Sequence, residues 1–284
     1  MTVVERAPEH DEVLVERSAV GRWWASSAVA AVLVAGGLSV LSVVLGWRGT
    51  DTAAHVFRVG LLERDGFHVW NNYWFGGHHT PGYSLLFPVL GSLVGIWTVA
   101  VSSAAGAALL FDLLVRRTTG RASWFATLWF AAGTVTNVAI GRLPFALGMA
   151  VGLGALLAAS HGRTRWAGAL SILCAAASPV SGAFLALLWV AWAYVAVGRQ
   201  RIVRASLAAC ALGPVVIMSA VYPQGGSFPF RWGAFVWVVV VSALVVLLVD
   251  VRVVRVAAVL YAVAAVAAFV LPTPLGSNVI RMPL

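Results

Sequence analysis

The chain has 284 residues, 61% of them hydrophobic and only 10% charged, with a mean hydropathy of +0.92. Soluble domains carry about a quarter charged residues, so water is not the solvent for most of this chain. The formal charge of +9 comes from 19 basic residues, all of them arginine. Their placement between long apolar runs makes them topology signals and sets nucleic acid aside as a partner.

Residues 1–22 contain Glu5, Glu9, Asp11, Glu12 and Glu16. A secretory signal needs a basic leader there, so this segment is predicted to be a disordered cytoplasmic tail, and 23–284 a single transmembrane domain. A helix needs roughly 20 apolar residues to cross a membrane, and 23–45 is the first such run. The polar stretch 46–83 follows, with Asp51, Glu63, Asp65, Arg48, Arg58, Arg64 and four of the six histidines. Thr50 or Asp51 is suited to cap a helix running to about Arg64 along the membrane surface, with Ala54, Phe57, Leu61 and Leu62 on its apolar side. The apolar run 84–115 is about 48 Å long as helix, more than one crossing needs. Pro88 and Gly91 are therefore predicted to separate a short interfacial or half-inserted helix from a span over 95–115.

Further spans are predicted over 122–140 and 143–160, joined by the Gly141-Arg142 turn. The run 166–197 lies between two arginine clusters of the same side, so the chain must go in and return; the reversal falls at Ser178-Pro179. Spans over 205–222, 233–249 and 256–271 complete about nine crossings. With the N-terminus in the cytoplasm and the C-terminus outside, the cytoplasmic side collects Arg6, Arg17, Arg22, Arg116, Arg117, Arg121, Arg163, Arg165, Arg199, Arg201, Arg204, Arg252 and Arg255. Arg48, Arg58, Arg64, Arg142, Arg231 and Arg281 fall outside, a bias that obeys the positive-inside rule of a plasma membrane. The fold class is thus all-α, a polytopic helical bundle with an interfacial helix in its outer loop.

Candidate chemistry concentrates in that loop. Trp70, Asn71, Asn72, Tyr73 and Trp74 beside Gly76 and Gly77 suit stacking on a sugar ring and hydrogen bonding to its hydroxyls, although an interfacial aromatic belt has the same composition. His55, His68, His78 and His79 show no recognised zinc spacing, so neither a metal nor another cofactor is expected; His78 and His79 read as surface or donor-binding residues. Cys174 and Cys210 sit in apolar segments and are expected as free thiols. Asp112 and Asp250, beside Arg116 and Arg252, are expected to form local ion pairs at the inner interface.

An N-terminal span followed at once by an acidic residue, Asp51 in TDTAAH, then an interfacial helix and a Thr80-Pro81-Gly82-Tyr83 entry into an apolar helix, resembles the GT-C superfamily of integral membrane glycosyltransferases. The 141–148 stretch GRLPFALG and the 276–281 stretch GSNVIR are similar to segments of actinobacterial members. The resemblance implies transfer of a sugar from a polyprenyl-phosphate donor to a glycan or lipid acceptor at the extracytoplasmic face, with inversion at the anomeric carbon. By position, Asp51 would be the general base, where a plain helix cap is the alternative reading. Arg142, Arg281 and Arg58 would hold the phosphate, though an arginine that ends a helix also fits Arg142. His55, His78, His79, Trp74 and Tyr83 would complete the substrate site among membrane lipids. The chain is shorter than the catalytic unit usual for the resemblance, so a longer product or a membrane partner subunit is expected. A secondary transporter, a lipid flippase and a noncatalytic membrane subunit are the other readings of so many spans.

The topology has a direct test. Single cysteines at Asn72 and Ser227, in a background lacking Cys174 and Cys210, should react with an impermeant thiol reagent in intact cells. Cysteines at Thr119 and Gln200 should react only after permeabilisation, and the reverse pattern would show an inverted chain.

Overall fold

The computed structural model describes residues 10–69, 84–222, 229–271 and 276–281, without the side chains of 10–26, Ser277 and Arg281. Among the described residues every regular element is helical: α1 (His10–Val44), α2 (Thr52–Asp65), α3 (Leu86–Val94), α4 (Ile96–Thr119), α5 (Trp124–Ala139), α6 (Leu143–Ser160), α7 (Thr164–Ala177), α8 (Pro179–Val195), α9 (Gly198–Val221), α10 (Trp232–Leu248) and α11 (Arg252–Val270), then a 3-10 turn over Gly276–Arg281. Five stretches, Ser27–Val44, Ile96–Thr119, Leu143–Ser160, Gly198–Val221 and Arg252–Val270, are long and apolar enough to cross a membrane. Large aliphatic side chains stay exposed along them, Leu33 at 67% and Val263 at 61% among them, which is the surface a helix presents to lipid rather than to water.

Three boundaries differ from expectation. α1 begins at His10, within the segment expected as a tail. The break after the outer loop falls at Gly95, not at Pro88 and Gly91. Pro88 is in the first turn of α3, where a missing N–H costs little, whereas Gly95 has φ +86°, a conformation glycine adopts readily. α9 starts at Gly198, so Arg199, Arg201 and Arg204 are helical rather than loop, in keeping with the high helix propensity of arginine.

The reversal at Ser178-Pro179 shows how a break inside an apolar run is tolerated. Pro179 has no N–H, and the last carbonyls of α7 need other donors. Ser178 N donates to Cys174 O (2.9 Å) and Leu85 N to Ala176 O (2.8 Å), while Ser178 Oγ accepts from Ser181 N at the start of α8. Helices pack closely around this break. Cys174 Sγ donates to Gly148 O at 3.1 Å, and a β-carbon on Gly182 would lie 2.7 Å from Ala175. Below it, Trp189 is fully buried and its Nε1 donates to Ser171 Oγ (3.1 Å).

At the opposite end α1, α4 and α5 are joined by a buried polar network. Asp112 is fully buried and pairs with Arg116 at 2.6 Å, one turn along α4. Its Oδ1 also accepts from Ser27 Oγ of α1 (2.9 Å) and Thr127 Oγ1 of α5 (3.0 Å), and Arg116 Nη2 donates to Ser27 Oγ. The expected Asp112 pair is therefore present. Asp250, however, pairs with Arg255 at 2.7 Å rather than with Arg252; the turn before α11 carries residue 250 back over the first helical turn, and Arg255 Nε also donates to Val249 O there.

Removing one partner of a buried ion pair leaves an uncompensated charge. Asp112→Asn should therefore lower unfolding stability in detergent micelles by about 3–5 kcal/mol, whereas Asp112→Leu with Arg116→Met should regain most of that loss. Equal stability of wild type and Asp112→Asn would show that the pair does not hold the three helices.

Candidate functional site

The outer-loop candidates are organised by a close approach between two backbones distant in sequence. α1 ends at Val44, and Arg48 Nη1 donates to Val43 O (3.1 Å) and Trp47 O (3.2 Å), with its guanidinium 4.2 Å above the Trp97 ring. The chain then turns through Gly49, which lies so close to the Ile140 backbone that any side chain there would overlap it. Thr52 N donates to Gly49 O (3.0 Å) and opens α2. On the facing strand of chain, Gly141 has φ +82°, and a β-carbon on it would meet Thr52 Oγ1 at 2.6 Å and Thr52 N at 2.8 Å. Arg142 N donates to Asn137 O at 2.7 Å, closing the turn that leads into α6.

Asp51 and Arg142 are thus each the immediate neighbour of a residue in this contact, and the fold brings the predicted base and the predicted phosphate ligand to one junction. Asp51 is the N-cap residue of α2, with helical φ −73° and ψ −17°, and its side chain makes no cap hydrogen bond. The capping role does not use its carboxylate. Arg142 is the N-cap of α6, followed by Leu143-Pro144 in the first turn, where proline costs no hydrogen bond.

His55 is buried at the junction. It is 1% exposed, its Nε2 donates to Gly141 O at 3.0 Å, and its ring stands 5.3 Å from that of Phe87. It stands as a strut beneath the junction and fixes α2 against the Gly141-Arg142 turn. Phe87 in turn fills the space among Val99, Val138 and Leu143. The buried side of α2 runs through Thr52, His55 and Val59, with Ala54 and Leu61 beside it. Val59 meets α3 at Gly91, where a β-carbon would come within 2.9 Å of Val59 Cγ2.

Arg58 lines a shallow cleft between α2 and the start of α3, with Leu62, Phe67, His68, Ser84 and Pro88. Arg281 ends the 3-10 turn, which packs on α10 and α11 and is held by Tyr261 Oη donating to Val279 O at 2.7 Å. Between that turn and the first turn of α6 stand the rings of Phe145, Phe184 and Tyr261, in successive edge contacts of 6.1 Å. Trp74, His78, His79 and Tyr83 lie outside the described residues. Among the described residues no three His, Cys, Asp or Glu side chains gather as metal ligands. Thr52 and Asn137 are members of the junction that the sequence did not single out, and Gly141 stood out only as part of the turn between two spans. The glycine before Arg142 was the one signal available, since a two-residue turn with glycine in it invites close backbone approach.

Comparison with models of protein families, with characterised proteins and with solved structures finds no match for this chain.

Gly141→Ala tests the junction. A β-carbon there is strained at φ +82° and collides with Thr52; strain at such a site costs on the order of 1–3 kcal/mol. The melting temperature in micelles should fall, and trypsin should cut at Arg58 or Arg64 faster than in wild type. Unchanged cleavage would show that α2 is not held by this contact.

Proposed function

We propose that the protein is a membrane glycosyltransferase of the GT-C type. It transfers a sugar from a polyprenyl-phosphate donor to a glycan or lipid acceptor at the extracytoplasmic face of the plasma membrane. The observation that carries this reading is the Asp51–Arg142 junction, built by the Gly49–Ile140 and Thr52–Gly141 contacts. A carboxylate and a guanidinium held at one helix-bundle end are the two charges that inverting transfer from a lipid phosphate needs.

In the reaction, the Asp51 carboxylate takes the proton of an acceptor hydroxyl as that oxygen bonds the anomeric carbon from the face opposite the leaving group. The bond from the anomeric carbon to the phosphate oxygen breaks, and the lipid phosphate leaves with the electron pair. Arg142 offsets the charge that develops on it. Arg58, in its cleft between α2 and the start of α3, serves the donor.

The reading carries a topology with it. With α1 and α4 to α11 each taken as a crossing it has nine; α2 and α3 lie at the outer interface, the N-terminus is inside and the C-terminus outside. α5 and α7, with 16 and 14 residues, span roughly 24 and 21 Å as helix and need a locally thinned bilayer. A transporter would use an acidic group at mid-span; among the described residues Asp112 is committed to Arg116, Ser27 and Thr127.

Asp51→Asn keeps the shape of the side chain and removes the proton acceptor, so transfer should drop by about two orders of magnitude or more with stability little changed. Arg142→Gln should raise the KM for the donor, with or without a loss of kcat. The measurement is transfer from radiolabelled polyprenyl-phosphate sugars in membranes, using a donor that the wild type demonstrably consumes. Near-normal transfer by Asp51→Asn would remove it as the base.

A further inference from the structure

From residue 113 to residue 249 the sequence has no acidic residue at all. Arg142 and Arg231 open α6 and α10 at the site-bearing end. The other arginines of that stretch, apart from Arg116 in its ion pair, collect without an acidic partner at the opposite end, in the last turn of α4, the turns after α4 and α6, and the first turns of α7 and α9. α7 and α9 start there side by side: a β-carbon on Gly168 would lie 3.7 Å from Cys210 Sγ and 3.8 Å from Leu207. Gly168 and Leu207 each follow the arginines by about one turn, so Arg163, Arg165 and Arg204 stand at one level.

Arg204 is held more tightly than a solvated arginine. Its guanidinium lies 4.0 Å over the Trp192 ring of α8, and its Nη1 is out of solvent contact with no acceptor among the described residues. A guanidinium N–H withdrawn from water is costly until an acceptor meets it, and an anionic oxygen meets it best. The neighbouring turns are apolar and exposed: Trp166 is 65% exposed, Tyr194 64%, Ile202 69% and Val197 84%. Aromatic rings and aliphatic surface at the level of the cations are what the headgroup region of a leaflet meets, and a soluble anion gains nothing from them.

We propose that Arg204, seated on Trp192 and supported by Arg163 and Arg165, binds the phosphate of an anionic phospholipid at the basic end of the bundle. The site is separate from the Asp51–Arg142 junction and does not depend on transferase activity. The full-length protein, released from micelles containing equal phosphatidylglycerol and phosphatidylcholine, is examined by native mass spectrometry for retained lipid. Wild type should retain phosphatidylglycerol preferentially. Arg204→Gln should reduce that preference about five-fold, the factor that about 1 kcal/mol for one juxtamembrane arginine gives. Arg231→Gln, at the other end, should leave it unchanged. Arg163→Gln with Arg165→Gln repeats the test should Arg204→Gln fail to fold. The proposal is overturned if wild type shows no preference, if the Arg204 and Arg163/Arg165 variants keep it, or if equimolar inorganic phosphate displaces the lipid, which would make this a soluble-anion site.

Discussion

The buried Asp112–Arg116 pair is the interaction on which the first half of the bundle depends. Two charges with almost no exposure are stable only if every oxygen and N–H in reach is used, and the donors nearest to hand are hydroxyls on two other helices. Ser27 and Thr127 therefore fix the rotation and height of α1 and α5 against α4. Small side chains continue the seam above them: Ala31 and Ala35 of α1 meet Ala108 and Ala131 with no exposed surface. Helices in lipid gain no hydrophobic drive to associate, so close packing of small residues and shared polar contacts carry the association instead.

The consequence reaches the other end of the same helices. α1 and α5, pinned side by side at Ser27 and Thr127, both run toward the start of α2 and finish together. Gly49, just past α1, meets Ile140, the C-cap of α5, and Thr52 meets Gly141. The junction between the starts of α2 and α6 is thus set by a register fixed about a bundle length away. His55 then ties α2 to the Gly141 carbonyl, and Phe87 ties α3 beneath it. α2 and α3 owe their position to these few contacts, since glycine at 49, 91 and 141 leaves no side chain in the way.

The second half of the chain is built on different means. α6, α7 and α8 pack through Gly148, Cys174 and Gly182 around a backbone break that Leu85 and Ser178 satisfy, and α11 joins through the aromatic contacts of Phe184 and Tyr261. From α5 to α10 there is no acidic residue, so the arginines of that stretch have no carboxylate within it.

The sequence by itself determined the class and most of the spans. Runs of about 20 apolar residues have few alternatives, which is why α6 falls on its expected limits and the Ser178-Pro179 reversal was legible: a proline with a capping serine in front of it cannot continue a helix. The Asp112 pair was also legible, because an acid one helical turn before an arginine meets it on the same face. The break at Gly95 was not, since glycine in an apolar run is as often packing as hinge, and only the backbone angle distinguishes them. The role of His55 as a strut was hidden because its partner is a backbone carbonyl, which carries no sequence signature. That the starts of α2 and α6 meet, at Thr52 and Gly141, was decided by tertiary structure alone: hydropathy fixes how far each helix runs, whereas the pairing of loop ends depends on the lateral order and register of helices, set here by hydroxyls on a buried carboxylate and by glycines that let backbones touch.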